Sequence, residues 1–316
     1  MKFWKHLLNK LQQNHSVYLL TVVENFGSSP GRKGFKMLVS SDRFIFGSIG
    51  GGVMEFNLVE EAKELLSKEN QSIFLKKQIH KGKIKDGSGM ICSGEQTVVF
   101  HPLNTSHVSL VESILDSLQH QKNGILHLSS SSSSFSNGEI KEQFAYQFAS
   151  SEDWSFKEQL NFKNTLYIVG GGHVGLAVSD LFVNLGFYVL VFNNREGINT
   201  FDLNTSAHQK LIIDYSQIEN YLQEGNTSYV VIMTNTYVDD KLILSKIIRN
   251  QYRYIGVLGS HFKLKTMWEV LQKEGFSSDE LAHINAPIGI AIKSQTPEEI
   301  AVSIAAKIIE VKNADR

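Results

Sequence analysis

Unbroken apolar runs and helical stripes alternate through the second half of the chain. Leu166-Tyr167-Ile168-Val169 and Phe187-Tyr188-Val189-Leu190-Val191-Phe192 have the length and composition of buried strands. Between them Val174, Ala177, Val178, Leu181 and Leu185 recur at helical spacing, and Gly186 ends that stripe. The alternation continues with strands over 211–213, 229–233 and 254–258 and helices over 217–222, 240–248 and 262–271. Strands separated by helices predict a parallel, doubly wound sheet, with its ligand crevice at the carboxyl ends of the strands. Thr296-Pro297-Glu298-Glu299 has the form of a capping box with proline at the first helical position. It opens a packing helix through Ala301, Ile304, Ala305 and Ile308.

The first half carries a different pattern. An amphipathic helix within 1–14 (Phe3, Trp4, Leu7, Leu8, Leu11) precedes a strand over 17–23 and a Gly/Ser/Pro loop over 25–34. Two short strands flank Ser41-Asp42 and lead to Gly47-Ser48-Ile49-Gly50-Gly51-Gly52-Val53-Met54-Glu55. That glycine turn opens a second helix through Leu58, Val59, Ala62, Leu65 and Leu66. Strands follow over 72–80 and 96–100, a helix over 106–121, and strands over 125–128 and 144–148. The serine run 129–134 reads as a flexible tip or linker, and 150–163 as the segment joining the halves. The fold class is therefore α/β: an N-terminal α+β domain over 1–160 and a Rossmann-like, doubly wound domain over 161–316.

Composition narrows the function classes. The 316 residues contain 31 basic and 32 acidic side chains, a formal net charge of −1, which favours neither nucleic acid nor an anionic membrane. Cys92 is the sole cysteine, so no intrachain disulfide can form, and a reducing, cytoplasmic compartment is expected. The first 14 residues lack the apolar core of a signal peptide. No stretch approaches the roughly 20 apolar residues of a membrane span. His80 and His101 stand at no metal-ligand spacing to Cys92, so no metal site is expected.

The candidate chemistry lies in two glycine turns. Gly170-Gly171-Gly172-His173-Val174-Gly175 spells G-x-G-x-x-G between a strand and a helix, the context in which that motif binds a nucleotide. Its first glycine permits the turn, the second lets a pyrophosphate approach, and the third lets helix and strand pack closely. Gly50-Gly51-Gly52 opens a helix in the same way and is a second candidate anion nest. Glu55 in that helix's first turn either complements the helix dipole or contacts a ligand. Asn193-Asn194-Arg195, Thr234-Asn235-Thr236 and Gly259-Ser260 fall at the carboxyl ends of predicted strands, and Asp240 either caps the helix that follows or faces the crevice. His173 reads as a turn residue. Cys92, between glycines, is the candidate for sulfur or cofactor chemistry.

The ordered set of motifs resembles the XdhC/CoxI family, accessory proteins for maturing xanthine dehydrogenase and related molybdenum hydroxylases. The resemblance covers nearly the whole chain. It rests on Gly27-Ser28-Ser29-Pro30, Lys36-Met37-Leu38-Val39 and Gly47-Ser48-Ile49-Gly50-Gly51-Gly52 followed by Glu55. In the second half it rests on the Gly170–Gly175 turn, Tyr254-Ile255-Gly256, Gly259-Ser260, Pro287-Ile288-Gly289 and the run from Thr296 to Ala306. It implies a homodimeric chaperone without turnover that binds the molybdenum cofactor (molybdopterin), assists its sulfuration by a cysteine desulfurase, and delivers it to the apo-enzyme. The implied cofactor-binding residues are Ser48, Gly50, Gly51, Gly52, Glu55, Cys92, Gly170, Gly172, His173, Gly175, Arg195, Asp240, Gly259 and Ser260. Two glycine-rich helix starts, one per domain, would cradle the anionic ligand, with Arg32 and Lys33 adding positive charge.

The chain departs from the family pattern at several positions. Asn193 and Asn194 stand where acidic residues usually precede the arginine, which weakens an NAD site and leaves Arg195 to meet a phosphate, as in an NADP-type site. Asn235 replaces a usual histidine, Val53 a usual cysteine, and Cys92-Ser93-Gly94 a Cys-Gly-Gly loop. The competing readings are an NAD(P)-dependent oxidoreductase and a nucleotide-binding regulatory scaffold.

Overall fold

One long strand, β1 (Val17–Gly27), is the axis of the first half. The computed structural model describes residues 1–68, 71–80 and 94–314. They form two units, Met1–Asn161 and Phe162–Arg316. In the first, α1 (Lys2–Gln12) precedes β1, which is followed by the hairpin β2 (Lys36–Ser40) and β3 (Ile45–Gly47). Then come α2 (Gly52–Leu66), β4 (Phe74–His80), β5 (Gly94–Leu103) and α3 (Val108–Gln119). The strands make an antiparallel sheet in the order β3-β2-β1-β5-β4.

β1 is buried on both faces from Val17 to Val23, which is why it reads as a continuous apolar run rather than an alternation. On one face Tyr18, Leu20, Val22, Val98 and Phe100 pack under Leu58, Val59 and Ala62 of α2. On the other face Leu19 lies opposite His101. Leu7 and Leu11 of α1 and Val111 and Ile114 of α3 are buried as well.

A second antiparallel sheet completes this unit in the order β7-β6-β9-β8, formed by β6 (Gly124–Ser129), β7 (Ser133–Asn137), β8 (Phe144–Ser150) and β9 (Asp153–Leu160). One expectation is corrected here, and the choice left open for the serine run falls to a tip. The segment 150–163 is not a joining segment: most of it is β9, an inner strand paired with both β6 and β8. Its inward positions are Trp154, Phe156, Glu158 and Leu160, so a buried carboxylate interrupts the apolar alternation. Glu158 is held by Lys36, whose Nζ lies 2.5 Å from its Oε2, with the two side chains only 9% and 10% exposed. The serine run is a hairpin: Ser129 N–H donates to Ser132 O, and Ser133 begins β7.

The second unit is the doubly wound sheet the pattern predicts. β10 (Thr165–Val169), α4 (His173–Asn184), β11 (Tyr188–Asn193), α5 (Asn199–Asp202) and β12 (Gln209–Ile212) form its first part. β13 (Gly225–Ile232), α6 (Tyr237–Ile247), β14 (Tyr252–Val257), α7 (His261–Lys273), α8 (Ser278–Ala282) and α9 (Pro297–Asn313) follow. All strands are parallel, in the order β12-β11-β10-β13-β14. α4 and α9 cover one face through Val178, Phe182, Ile304 and Ile308, while α6 and α7 cover the other through Ile243, Leu244, Leu264 and Met267. The predicted helix over 217–222 is a 3-10 segment, Tyr215–Tyr221. Its threefold repeat turns Tyr215 and Ile218 onto the core. The Thr296 capping box forms as expected, with Glu299 N–H donating to Thr296 Oγ1.

Order reverses at β10, between β11 and β13. A ligand crevice is expected outside the carboxyl ends of the strands at such a switch point.

Candidate functional site

The first glycine turn is built by close backbone approach. Gly50, Gly51 and Gly52 all have positive φ (133°, 75° and 69°), a path that L-residues with a Cβ rarely follow. A Cβ at Gly50 would stand 2.6 Å from Gly31 N, and one at Gly31 would stand 2.3 Å from Ile49 O. The two glycine loops of the first unit are thus pressed together. Gln96, buried beneath them, ties both: its Oε1 accepts from Gly31 N at 3.0 Å, and its Nε2 donates to Ile49 O at 3.3 Å and to Gln78 Oε1 at 2.8 Å.

The expected anion nest is already filled by the chain itself. Glu55 Oε2 accepts from Ile49 N at 2.8 Å, Gly51 N at 2.9 Å and Ser48 Oγ at 2.7 Å. A carboxylate placed there satisfies donors that a ligand phosphate would otherwise meet. Ser48, Gly50, Gly51, Gly52 and Glu55 are therefore brought together, with Glu55 as the occupant of the turn. Cys92 lies outside the described residues.

In the second unit each glycine of the motif meets a different demand. A Cβ at Gly170 would stand 2.3 Å from Met233 O, and one at Gly175 would stand 2.2 Å from Gly170 O. The fold itself excludes side chains there. Gly172 differs: a Cβ would meet only Asn235 Oδ1 at 3.9 Å, and its φ of −74° suits any residue. Packing does not require glycine at 172, and the space beside it at the start of α4 is open. Gly171 is pinned from behind, its carbonyl accepting from Thr200 Oγ1 at 2.6 Å.

Gly170, Gly171 and Gly172, but not Gly175, line a crevice of about 150 Å³ with Asn193, Asn194, Arg195, Ile198, Tyr215, Thr234, Asn235, Thr236 and Asp239. Asn193 ends β11 with its amide engaged at both ends. Its Oδ1 accepts from Gly171 N at 3.4 Å, and its Nδ2 donates to Arg195 O at 2.6 Å. Arg195 is exposed, and its guanidinium pairs with no carboxylate among the described residues. Next to Arg195, Asn194 Nδ2 donates to Asp239 Oδ2 of α6 at 3.5 Å. Burial, reinforced by the Asp239 and Asp240 carboxylates, pushes the Tyr215 phenol well above its ordinary range, so it stays a neutral hydroxyl.

Asp240, open between a helix cap and a crevice-facing residue, is neither: it is a buried brace and does not line the crevice. Thr236 caps α6, its side chain accepting from Asp239 N. Asp240 Oδ1 accepts from Thr234 N at 3.0 Å and Thr234 Oγ1 at 2.5 Å, while Oδ2 pairs with Lys263 Nζ. Burial raises the Asp240 carboxyl, and Lys263 and Thr234 oppose that rise. The brace fixes the Thr234-Asn235-Thr236 wall of the crevice. Gly259 and Ser260 support Lys263 from the next loop: Ser260 Oγ accepts from Lys263 N at 3.3 Å, and the Lys263 stem lies 3.1 Å from where a Gly259 Cβ would be. Neither lines the crevice. Nor does His173, which opens onto a separate groove between α4 and α9 with Asp180, Pro297 and Glu298.

Sequence reasoning missed Tyr215, Asp239, Gln96 and the role of Lys263. Asp239 was within reach, since it precedes Asp240 in the first turn of a helix at a strand end. Tyr215 lies in a 3-10 segment that no spacing rule marks.

Two family models match: the XdhC Rossmann domain over residues 166–308 and the XdhC and CoxI family over 10–76. The chain is 24% identical over 303 residues to the uncharacterized protein YqeB of Escherichia coli (strain K12), covering 96% of this chain and 44% of that protein. It is 27% identical over 157 residues to a probable xanthine dehydrogenase subunit of Bacillus subtilis (strain 168), covering 50% of this chain and 46% of that protein. The chain thus spans less than half the length of these curated relatives. A crystal structure of a xanthine dehydrogenase from Bacillus halodurans has the same fold, with a TM-score of 0.70 and 23% identity over 99% of this chain and 96% of that one. Both halves, with the glycine turns that mark them, place the chain in the XdhC and CoxI family.

Proposed function

We propose that this chain is an accessory protein for a xanthine-dehydrogenase-type molybdenum hydroxylase, and that it carries the molybdenum cofactor as cargo rather than turning over a substrate. The observation that carries this reading is Gly172. It is the one glycine of its motif that the fold does not demand, and it leaves the start of α4 open to a phosphate. The residues present fit the phosphate end of a molybdopterin: backbone N–H groups at the α4 start, Arg195 beside them, and Thr234 opposite. The crevice is smaller than the roughly 300–1,000 Å³ of a site that encloses a whole ligand. It therefore grips one end of the cargo and leaves the pterin accessible to whatever receives it.

Family membership and the name of the Bacillus subtilis relative support the accessory role. In this reading the chain acts as a cytoplasmic homodimer, and its partners are the apo-hydroxylase and a cysteine desulfurase that would supply the sulfur for sulfuration of the cargo. Among the described residues no helix is long and apolar enough to cross a membrane. The test is reconstitution. An apo-hydroxylase supplied with molybdenum cofactor should gain activity faster and to a higher level with the chain than without it. Equal activation in its presence and absence contradicts the role.

A further inference from the structure

We propose that the crevice of the second unit also takes a nucleotide phosphorylated on its ribose 2′-oxygen, and that Arg195 makes it prefer that ligand to the free ribose diol. This inference rests on the reading that the start of α4 receives a phosphate. The nucleotide is a second ligand, which competes with the cargo for that helix start.

Discrimination arises at the carboxyl end of β11. In a parallel sheet of this order a nucleotide phosphate at the first turn sets the ribose over the end of the neighbouring strand. A carboxylate there accepts hydrogen bonds from the diol, whereas an arginine nearby receives a 2′-phosphate. This chain ends β11 with Asn193, and Asn193 is not free to replace the carboxylate. Its Oδ1 accepts from Gly171 N, and its Nδ2 donates to Arg195 O. The residue that would grip a diol instead braces the glycine turn and fixes the backbone of the arginine two positions on.

Arg195 itself is available. It lines the crevice, it is exposed, and no carboxylate among the described residues pairs with it. It also lies close enough to Tyr215 to act on that phenol electrostatically. A planar guanidinium is suited to a phosphate monoester, which it can meet through two parallel hydrogen bonds. The carboxylate that does line the crevice, Asp239, belongs to α6 on the other side of β10 and is within reach of Asn194 Nδ2.

The consequence is a nucleotide input to a cargo-carrying protein. A 2′-phosphorylated nucleotide and the phosphate of the cargo would both use the α4 start, so one should displace the other. The role of Arg195 is discrimination, not chemistry.

The full chain is titrated calorimetrically with adenosine 2′,5′-bisphosphate and with adenosine 5′-monophosphate at low salt, and the Arg195→Ala and Arg195→Glu variants are titrated alongside. The wild type should bind the bisphosphate roughly tenfold or more tightly, the scale of a charge-assisted phosphate contact. Arg195→Ala should lower the preference to about twofold, and Arg195→Glu should reverse it. Because Arg195 is exposed and unpaired, both variants should melt at the wild-type temperature, which separates lost recognition from lost folding. Equal affinity of the wild type for the two nucleotides overturns the inference, as does a preference that stays at the wild-type level in Arg195→Ala. Binding of neither nucleotide also overturns it while leaving the cargo reading intact, since cofactor binding is measured separately.

Discussion

Replacing Glu55 by alanine should destabilise the first unit and at the same time expose an anion site. The carboxylate accepts from two backbone amides, Ile49 and Gly51, and from Ser48 Oγ, all through Oε2. Hydrogen bonds to a charged group contribute about 1.5–3 kcal/mol each when buried. Ser48 is exposed and Gly51 half-buried, so the three together are worth about 2–4 kcal/mol rather than the full sum. For a unit of this size that corresponds to a fall in Tm of about 5–10 °C. Glu55→Gln keeps an acceptor oxygen without the charge and should lose about half as much. Differential scanning calorimetry in chloride and then in sulfate separates the two roles the sequence left open. If the carboxylate is the turn's own anion, sulfate should raise the Tm of Glu55→Ala more than that of the wild type, because it fills the vacated nest. An unchanged Tm in Glu55→Ala, or no differential rescue, would refute the reasoning. If cofactor binding were lost with no loss of stability, Glu55 would be a ligand contact.

Other expectations follow from the same geometry. Lys36→Met should cost about 3–5 kcal/mol by leaving Glu158 buried and unpaired, and adding Glu158→Leu should recover most of it; urea denaturation of the single and double variants measures this. Gly175→Ala should destabilise the second unit by about 1–3 kcal/mol because its Cβ would meet Gly170 O, whereas Gly172→Ala should melt as the wild type does. Burial, with His107 nearby, lowers the His101 imidazole from 6.5 to about 4. The unfolded chain therefore binds the extra proton between those values, so stability is complete above about pH 6.5 and falls as the pH drops toward 4. The loss across that window is about 3 kcal/mol, and His101→Phe should flatten the Tm–pH curve there.

The second unit was legible because its strands are buried on both faces and write themselves as runs such as 166–169 and 187–192, each bounded by glycine. The roles of Gly170 and Gly175 could be read from spacing alone. β9 was not legible, since Glu158 sits where the alternation calls for an apolar residue and its partner Lys36 is 122 residues away. Asp240 stayed open between cap and crevice residue for a similar reason: its partner Lys263 lies 23 residues on, across a strand. The first glycine turn looked like an anion nest, which it is. Only in the folded chain does the carboxylate four residues after Gly51 turn back to occupy it. At Glu158 and Asp240 the missing signal is long-range pairing of charges, of which local periodicity carries no trace.

The open α4 start at Gly172 should hold the phosphate of a cofactor. Native mass spectrometry of the chain incubated with molybdenum cofactor, for the wild type and for Gly172→Val, tests this most directly. The wild type should carry the mass of the cofactor, and Gly172→Val, melting at a comparable temperature, should not. Cofactor retained by Gly172→Val, or none bound by the wild type, would contradict the cargo role.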